Sequence, residues 1–342
     1  MKILILKPSS LGDVVQAMPV LRLLKQHFTG SEIHWWLGSE FLSLFQDDPD
    51  LAGIFRFERQ RWKSPLNWFE VLASIRAMRA KRFDWVIDLQ GLARSGMFAW
   101  MANGAFTIGV DDPREGARGF YDLAVPRPSP TTHAVDWYLE VLRVLKVPVH
   151  WNFIWLPAKP DAAVSVRRKW QPDSAQWIVI NPGARWLNKR WPVEHFAELV
   201  RTLANKRPDA RFAILGGRDD CPLGSTIAQA APQRCLDLTG QTSLAEMIEW
   251  LRLSSLVVTN DTGPMHVAAA LGKPIVALFG PTDPRRTGPY GQLERALRIE
   301  LPCSPCLRQT CFYERPLECL RGISPAHVAD VALGRLESSA LW

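Results

Sequence analysis

Several polar residues stand at the ends of apolar runs, where an open α/β sheet meets its ligands. Asp13 follows Leu11-Gly12 shortly after the run Lys2–Leu6 (KILIL), at the entrance to a helix. A carboxylate in that place can take a proton from an attacking hydroxyl. Helix N-capping is the plainer role for the same side chain. Late in the chain, Thr259-Asn260-Asp261-Thr262-Gly263-Pro264 joins the run Ser254–Val258 to a short helix, His266–Leu271. Thr262 or Gly263 can cap that helix and Pro264 suits its first turn. Amides following Asp261 would direct donors and a helix dipole at a phosphate. His266 falls within one turn and can face the same pocket; a histidine satisfied in the core is the alternative. Lys189, in Arg185-Trp186-Leu187-Asn188-Lys189-Arg190-Trp191, can neutralise a departing diphosphate, or belong to a solvated basic loop. Asp219 and Asp220 follow Gly216-Gly217 at another strand end, where a carboxylate can bind ribose hydroxyls or simply shape a turn.

Four cysteines, Cys303, Cys306, Cys311 and Cys319, are spaced C-x2-C-x4-C-x7-C. Such a group resembles a thiolate knuckle for structural zinc or an iron–sulfur centre; reduced, unliganded thiols are the other reading. Asp48-Pro49-Asp50 has the D-x-D form of a metal-held sugar nucleotide site but reads as a proline turn. No metal site is expected at His266, which has no ligand-type neighbour at suitable spacing. P-loop, G-x-G-x-x-G and G-x-S-x-G motifs are absent.

The elements that must position these groups alternate. Glu32–Leu37 and Trp85–Leu89 read as strands and Val14–His27 as an amphipathic helix. Pro65–Lys81 reads as a helix with an apolar stripe of Leu66, Phe69, Leu72, Ile75 and Met78. Thr107–Val110 is a further strand and His133–Leu145 a further helix. Prolines 148, 157, 160 and 172 then interrupt the pattern, apart from a short helix over Ala162–Lys169. The alternation restarts with strands at Trp177–Ile180, Arg211–Leu215, Cys235–Leu238 and Ile275–Phe279. Helices Pro192–Lys206 and Leu244–Leu253 separate them, and Pro325–Leu336 is the last. This predicts an α/β protein with two doubly wound parallel-sheet domains: residues 1–155, a link at 156–175, and residues 176–342. A ligand cleft is expected between them.

The 342 residues suffice for two such domains, and 47% hydrophobic residues provide their cores. An excess of 41 basic over 34 acidic residues, a formal +7, suits an anionic partner. Dispersed basic residues argue against nucleic acid. The apolar N-terminal run is too short for a signal peptide, and no stretch reaches the ~18 apolar residues of a membrane span. A cytoplasmic protein is expected, and the six cysteines do not suggest an oxidised framework. Trp68, Phe69, Arg76, Arg79 and Lys81 could place the Pro65–Lys81 helix at a bilayer surface; packing on the sheet is the alternative. Nothing in the sequence indicates oligomeric state.

Taken together, Lys7-Pro8-Ser9-Ser10-Leu11-Gly12-Asp13, Asp88-Leu89-Gln90-Gly91-Leu92-Ala93-Arg94-Ser95, Asn260-Asp261-Thr262-Gly263-Pro264-Met265-His266 and Phe279-Gly280-Pro281-Thr282-Asp283-Pro284 resemble the ADP-heptose:lipopolysaccharide heptosyltransferases of glycosyltransferase family 9. The likeness spans residues 1–295. Arg61-Trp62 and Arg114-Glu115, with the Asp88–Ser95 segment, look more like heptosyltransferase I than its relatives. The resemblance implies a GT-B fold whose first domain binds acceptor and whose second binds donor, with closure between them. It implies inverting transfer of L-glycero-D-manno-heptose from ADP-heptose to Kdo–lipid A, with no cofactor or catalytic metal, at the cytoplasmic face of the inner membrane. On it, Asp13 is the base; Lys189, Thr262 and Gly263 contact the diphosphate; Asp261 and His266 lie near the donor sugar. Asp220 contacts ribose where the family usually shows Glu, and Gly183, Ala184 and Thr242 make loop contacts to the nucleotide. Arg61 and Arg114 suit Kdo carboxylates or lipid A phosphates. The cysteine-rich tail is not part of the likeness.

Overall fold

A computed structural model describes residues 1–339. The chain forms two units, Met1–Pro157 and Ala158–Trp342. In the first, continuous runs of Val, Ile, Leu and Trp give strands buried on both faces, as a helix-covered parallel sheet requires. Its strands are β1 (Lys2–Leu6), β2 (Glu32–Gly38), β3 (Gly53–Phe57), β4 (Trp85–Asp88), β5 (Phe106–Asp111) and β6 (Leu123–Pro126). They are all parallel, in the order β3-β2-β1-β4-β5-β6. The helices are α1 (Leu11–His27), α2 (Trp68–Lys81), α3 (Ala93–Ala102) and α4 (Ala134–Val144). Edge strands β3 and β6 have no counterpart in the sequence reading. Half-exposed edge strands do not need the unbroken apolar run that marks a central strand.

Two helices depart from expectation. Helix α1 is buried through most of its length, including Gln16 and Arg22, rather than amphipathic. Arg22 is accommodated because Asp48 accepts from Nη1 and Nη2 at 2.6 Å each, Asp50 accepts at 2.7 Å, and the Trp155 carbonyl accepts from Nε and Nη2. The Asp48-Pro49-Asp50 turn is therefore a buried clamp on α1, as a buried cation requires. In α2 the expected apolar stripe divides. Ile75 and Met78 enter the core with Leu6, Trp36 and Phe98, whereas Leu66, Trp68, Phe69 and Leu72 are exposed, Leu66 by 82%.

The second unit repeats the pattern. Its strands are β7 (Gln176–Asn181), β8 (Ala210–Ile214), β9 (Cys235–Asp237), β10 (Leu256–Asn260), β11 (Ile275–Leu278) and β12 (Ala296–Leu297), ordered β12-β11-β10-β7-β8-β9. Its helices are α5 (Pro160–Trp170), α6 (Val193–Lys206), α7 (Cys221–Ala228), α8 (Leu244–Leu253), α9 (Gly263–Ala270), α10 (Pro284–Thr287), α11 (Glu318–Arg321) and α12 (Pro325–Ser339). Helix α5 lies within the segment read as a link and packs on α8. Helix α12 lays Val328, Ala329, Ala332 and Leu336 into the second core, against α6. Each sheet reverses its order once, between β1 and β4 and between β7 and β10. The crevice outside the carboxyl ends of such a pair is where open α/β sheets bind ligands.

Candidate active site

In the second unit the loops at that reversal enclose a cavity of about 420 Å³. Gly183, Ala184, Asp220, Thr242 and Thr262 line it, together with Arg190. The turn after β8 folds its carboxylate back on itself: Asp220 Oδ2 accepts from the Gly217 amide at 3.0 Å. Arg190 Nη2 stands 3.3 Å from Asp220 Oδ1, while its Nε donates to the Ala184 carbonyl at 2.9 Å. Gly183 makes this possible, because a Cβ there would lie 2.3 Å from Asp220 Oδ2. Asp220 thus combines turn geometry with a place on the cavity wall, where a carboxylate can accept from ribose hydroxyls.

Beside the cavity, Lys189 Nζ donates to Asp261 Oδ2 at 2.6 Å, and Thr282 Oγ1 donates to the same oxygen at 2.6 Å. Lys189 also lies 4.7 Å over the Trp186 ring. Asn260 ties this arrangement to the β7 loop, donating from Nδ2 to the Pro182 carbonyl and accepting from the Trp191 amide. Asp261 and His266 are buried. Thr262 is the N-cap of α9 in extended conformation, Pro264 sits in its first turn, and no side chain caps the helix. A short helix beginning with amides and a lysine alongside form an arrangement suited to a diphosphate. The next helix at the cavity differs. α8 is closed by a reciprocal pair, Glu246 Oε2 accepting from Ser243 N at 2.8 Å and Ser243 Oγ from Glu246 N at 3.3 Å. Thr282 and Arg190 carry no site role in the sequence reading. Thr282 stands in a quoted motif, which was the signal; Arg190 was hidden among neighbouring cations.

In the first unit Asp13 lies inside α1 rather than at its cap. Ser10 is the N-cap, and Asp13 Oδ2 accepts from the Ser10 amide at 2.9 Å and Oγ at 2.7 Å. Nearby Lys7 is buried, donates to the Leu89 carbonyl at 2.9 Å and lies 4.8 Å over the Tyr138 ring. Burial opposes its charge, but Tyr138, Asp13 and Asp88 outweigh that and raise its pKa. Asp88 is wholly buried, which pushes its carboxyl up although Tyr121 donates to it at 2.7 Å. Lys7 and Asp88 appear in the quoted motifs, but spacing alone assigns them no role. Arg61 pairs with Glu70, and Arg114 forks onto Asp112, Nη2 to Oδ2 at 2.6 Å. Arg114 is held charged chiefly by Asp112, with Asp13 contributing. Both arginine side chains are exposed.

Cys303, Cys306, Cys311 and Cys319 line one cavity of about 20 Å³, and none forms a disulfide. Burial, then the neighbouring Cys311, Cys303 and Cys306, push the Cys319 thiol up to about 11. Among the described residues, no three His, Cys, Asp or Glu side chains already converge as a metal-holding group. Among the described residues, no helix is long and apolar enough to cross a membrane.

Residues 71–316 match glycosyltransferase family 9 (heptosyltransferase). The lipopolysaccharide heptosyltransferase 1 of Pseudomonas aeruginosa is 28% identical over 337 residues, covering 92% of this chain and 88% of that protein. The lipooligosaccharide heptosyltransferase 2 of Campylobacter jejuni is 26% identical over 347 residues, with 100% of both chains covered. The solved E. coli heptosyltransferase WaaC with ADP superposes with a TM-score of 0.74 at 25% identity, covering 98% of this chain and all of the other. Two parallel six-stranded α/β units are the GT-B architecture of these enzymes. The chain belongs to glycosyltransferase family 9, the heptosyltransferases.

Proposed function

We propose that this glycosyltransferase moves L-glycero-D-manno-heptose from ADP-heptose to the Kdo–lipid A inner core. Family membership supplies heptose transfer onto the lipopolysaccharide core; the donor, acceptor and residue roles go beyond it. The observation that carries it is the meeting of Lys189, Asp261 and Thr282 at the uncapped start of α9, beside a cavity of nucleotide size.

In this reading the nucleoside occupies the cavity, with Asp220 accepting from ribose and Gly183, Ala184 and Thr242 bounding it. The diphosphate meets Lys189 and the Thr262 and Gly263 amides, which neutralise charge as the sugar departs. Asp261 and His266 stand by the donor sugar, where a carboxylate favours an oxocarbenium-like centre. Asp13 takes the proton of the acceptor hydroxyl as it attacks the anomeric carbon, giving inversion and releasing ADP. Ser10 holds that carboxylate in place. Charge stabilisation comes from protein groups, so the reading invokes no metal in the transfer. Arg61 and Arg114, exposed on the first unit, are suited to the acidic acceptor. Residues 1–155 would then serve the acceptor and 176–342 the donor.

The exposed Trp68, Phe69 and Leu72, with Arg76, Arg79 and Lys81 on the same helix and Leu66 in the turn before it, support peripheral binding at the cytoplasmic face of the inner membrane. A later core acceptor is the second reading, favoured by the full-length match to a heptosyltransferase 2.

Incubation with ADP-heptose and Kdo2–lipid A is expected to release ADP, whereas UDP- and GDP-sugars do not substitute. Asp13→Asn should lower turnover by about 10²-fold or more with ADP affinity preserved. Near-wild-type turnover removes Asp13 from the role. Transfer only to an already heptosylated acceptor establishes the second reading.

A further inference from the structure

We propose that Cys303, Cys306, Cys311 and Cys319 hold one thiophilic divalent ion, zinc or mononuclear iron, and that this ion fastens the cysteine-rich segment behind the donor phosphate loops. All four cysteines line the same cavity, although the segment carrying them includes little regular structure. The cavity they share is small, about 20 Å³, which suits a single bound ion. Four sulfurs around one ion give the tetrahedral arrangement of structural zinc or mononuclear iron. The thiols do not yet converge as a finished shell. Rotation about χ1 moves a Sγ with little change in backbone.

Two contacts define the wall of this cavity. The Leu317 amide donates to Cys311 Sγ at 3.3 Å, which fixes the place of that sulfur on the wall. Asn188, more than nine-tenths buried, lines the same cavity with its Oδ1 lacking a hydrogen-bond partner. Its Nδ2 donates to the Arg308 carbonyl at 2.8 Å, which ties the segment to the residue next to Lys189.

The segment is joined to the other donor loop as well. Leu307 N donates to the Pro281 carbonyl at 2.8 Å, and Ser304 Oγ to the Gly280 carbonyl at 2.7 Å. Gly280 is small where Cys319 packs: a Cβ there would lie 2.9 Å from its Sγ. Gly280 and Pro281 lead directly to Thr282, which holds Asp261. An ion at the four sulfurs therefore fixes the wall on which Asn188, Lys189 and Thr282 rest. Binding releases thiol protons, so uptake weakens as pH falls.

The metal assay is independent of the proposed transfer; only its nucleotide arm shares that reading. Full-length protein purified anaerobically without chelator is expected to contain about one zinc or iron per chain, and metal analysis says which. Reconstitution with Co²⁺ should give the visible absorption of a tetrahedral tetrathiolate. Cys303→Ser, at an exposed position, and Cys306→Ser should each weaken metal affinity by at least about tenfold. Cys235→Ser, in β9, should not. Cys306→Ser is also expected to weaken ADP binding about tenfold, the scale of one lost buried hydrogen bond. Absence of metal in fresh protein with no uptake of added Zn²⁺ or Co²⁺ overturns the site. So does full metal retention in both cysteine variants. Metal loss with unchanged ADP affinity overturns the fastening role.

Discussion

After β4 the chain runs Asp88-Leu89-Gln90-Gly91 into α3; after β10, at the matching place in the second sheet, it runs Asn260-Asp261-Thr262-Gly263 into α9. The two turns lie at the same topological reversal and use similar residues to opposite ends. In the first, Asp88 Oδ1 accepts from the Gln90 and Gly91 amides, Ser95 Oγ accepts from Leu92 N, and Glu115 Oε2 accepts from Ala93 N. Side chains thus take up the Gln90, Gly91, Leu92 and Ala93 amides leading into α3, although its N-cap, Leu92, supplies no side-chain cap. In the second, no side chain caps α9, and the carboxylate of Asp261 is turned toward Lys189 and Thr282. One topology thus yields a closed helix start in one unit and, in the other, one suited to an anion. Strand order locates the crevice, but disposition of polar side chains decides which crevice receives a phosphate.

The largest effect expected from breaking this contrast is on stability. Asp88→Ala removes a buried acceptor from the Tyr121 hydroxyl and two amides, and should cost about 3 kcal/mol in urea unfolding. ADP affinity should stay within about twofold of the parent, since the second unit carries that site. A large loss of ADP affinity with little destabilisation would show that the two turns are not divided in this way. Lys189→Met is the mirror experiment. It removes a charge-assisted donor and should lower ADP affinity by about 10- to 100-fold, with some loss of stability because the buried Asp261 carboxylate then keeps only the Thr282 hydroxyl. Calorimetric titration reads the affinity directly. Thr262→Asp then makes the second turn resemble the first. A carboxylate at the N-cap favours the helix, by about 1 kcal/mol at most, but repels a diphosphate. ADP affinity should drop about tenfold while thermal stability holds or rises. Unchanged affinity would place the phosphates away from α9.

Much of this division was legible in the residues. Central strands announce themselves by unbroken apolar runs, and Thr262-Gly263-Pro264 carries the chemistry of a helix start. The resemblance singled out Lys189 and Asp261, which meet in the structure, and Asp13 in the first unit. What escaped the sequence depends on partners far along the chain. Lys7 looks like an ordinary cation after a strand until Tyr138 and the Leu89 carbonyl are seen around it. Arg22 sits in an apolar helix because of aspartates 26 and 28 residues away. The stripe on α2 failed for a related reason: period identifies an apolar face, but whether a protein element covers all of it is a tertiary matter.

The smallest expected effect concerns the other helix at the cavity, α8, whose start is as thoroughly closed as that of α3. Glu246 is buried; burial alone would raise its pKa, but Lys169, Ser165 and Ser243 overcome this and bring the carboxyl down to about 2. Lys169 Nζ and Ser165 Oγ each donate to Oε1 at 2.6 Å, joining α5 to α8. The fold therefore favours the ionised form. Its contribution is complete above the ordinary Glu value of ~4.3 and is lost as pH falls from there toward about 2. Lys169 is 44% exposed, so solvent screening reduces the contribution to about 1 kcal/mol. Glu246→Gln should consequently unfold earlier than the parent in urea at pH 6, and the gap should narrow at pH 3 and close toward pH 2. ADP affinity at pH 6 should be unchanged, because the carboxylate closes its own helix and leaves α9 untouched. A gap of equal size across this pH range would mean that the side chain acts through packing rather than charge. The closed helix would then owe its stability to something other than the reciprocal bond that distinguishes it from α9.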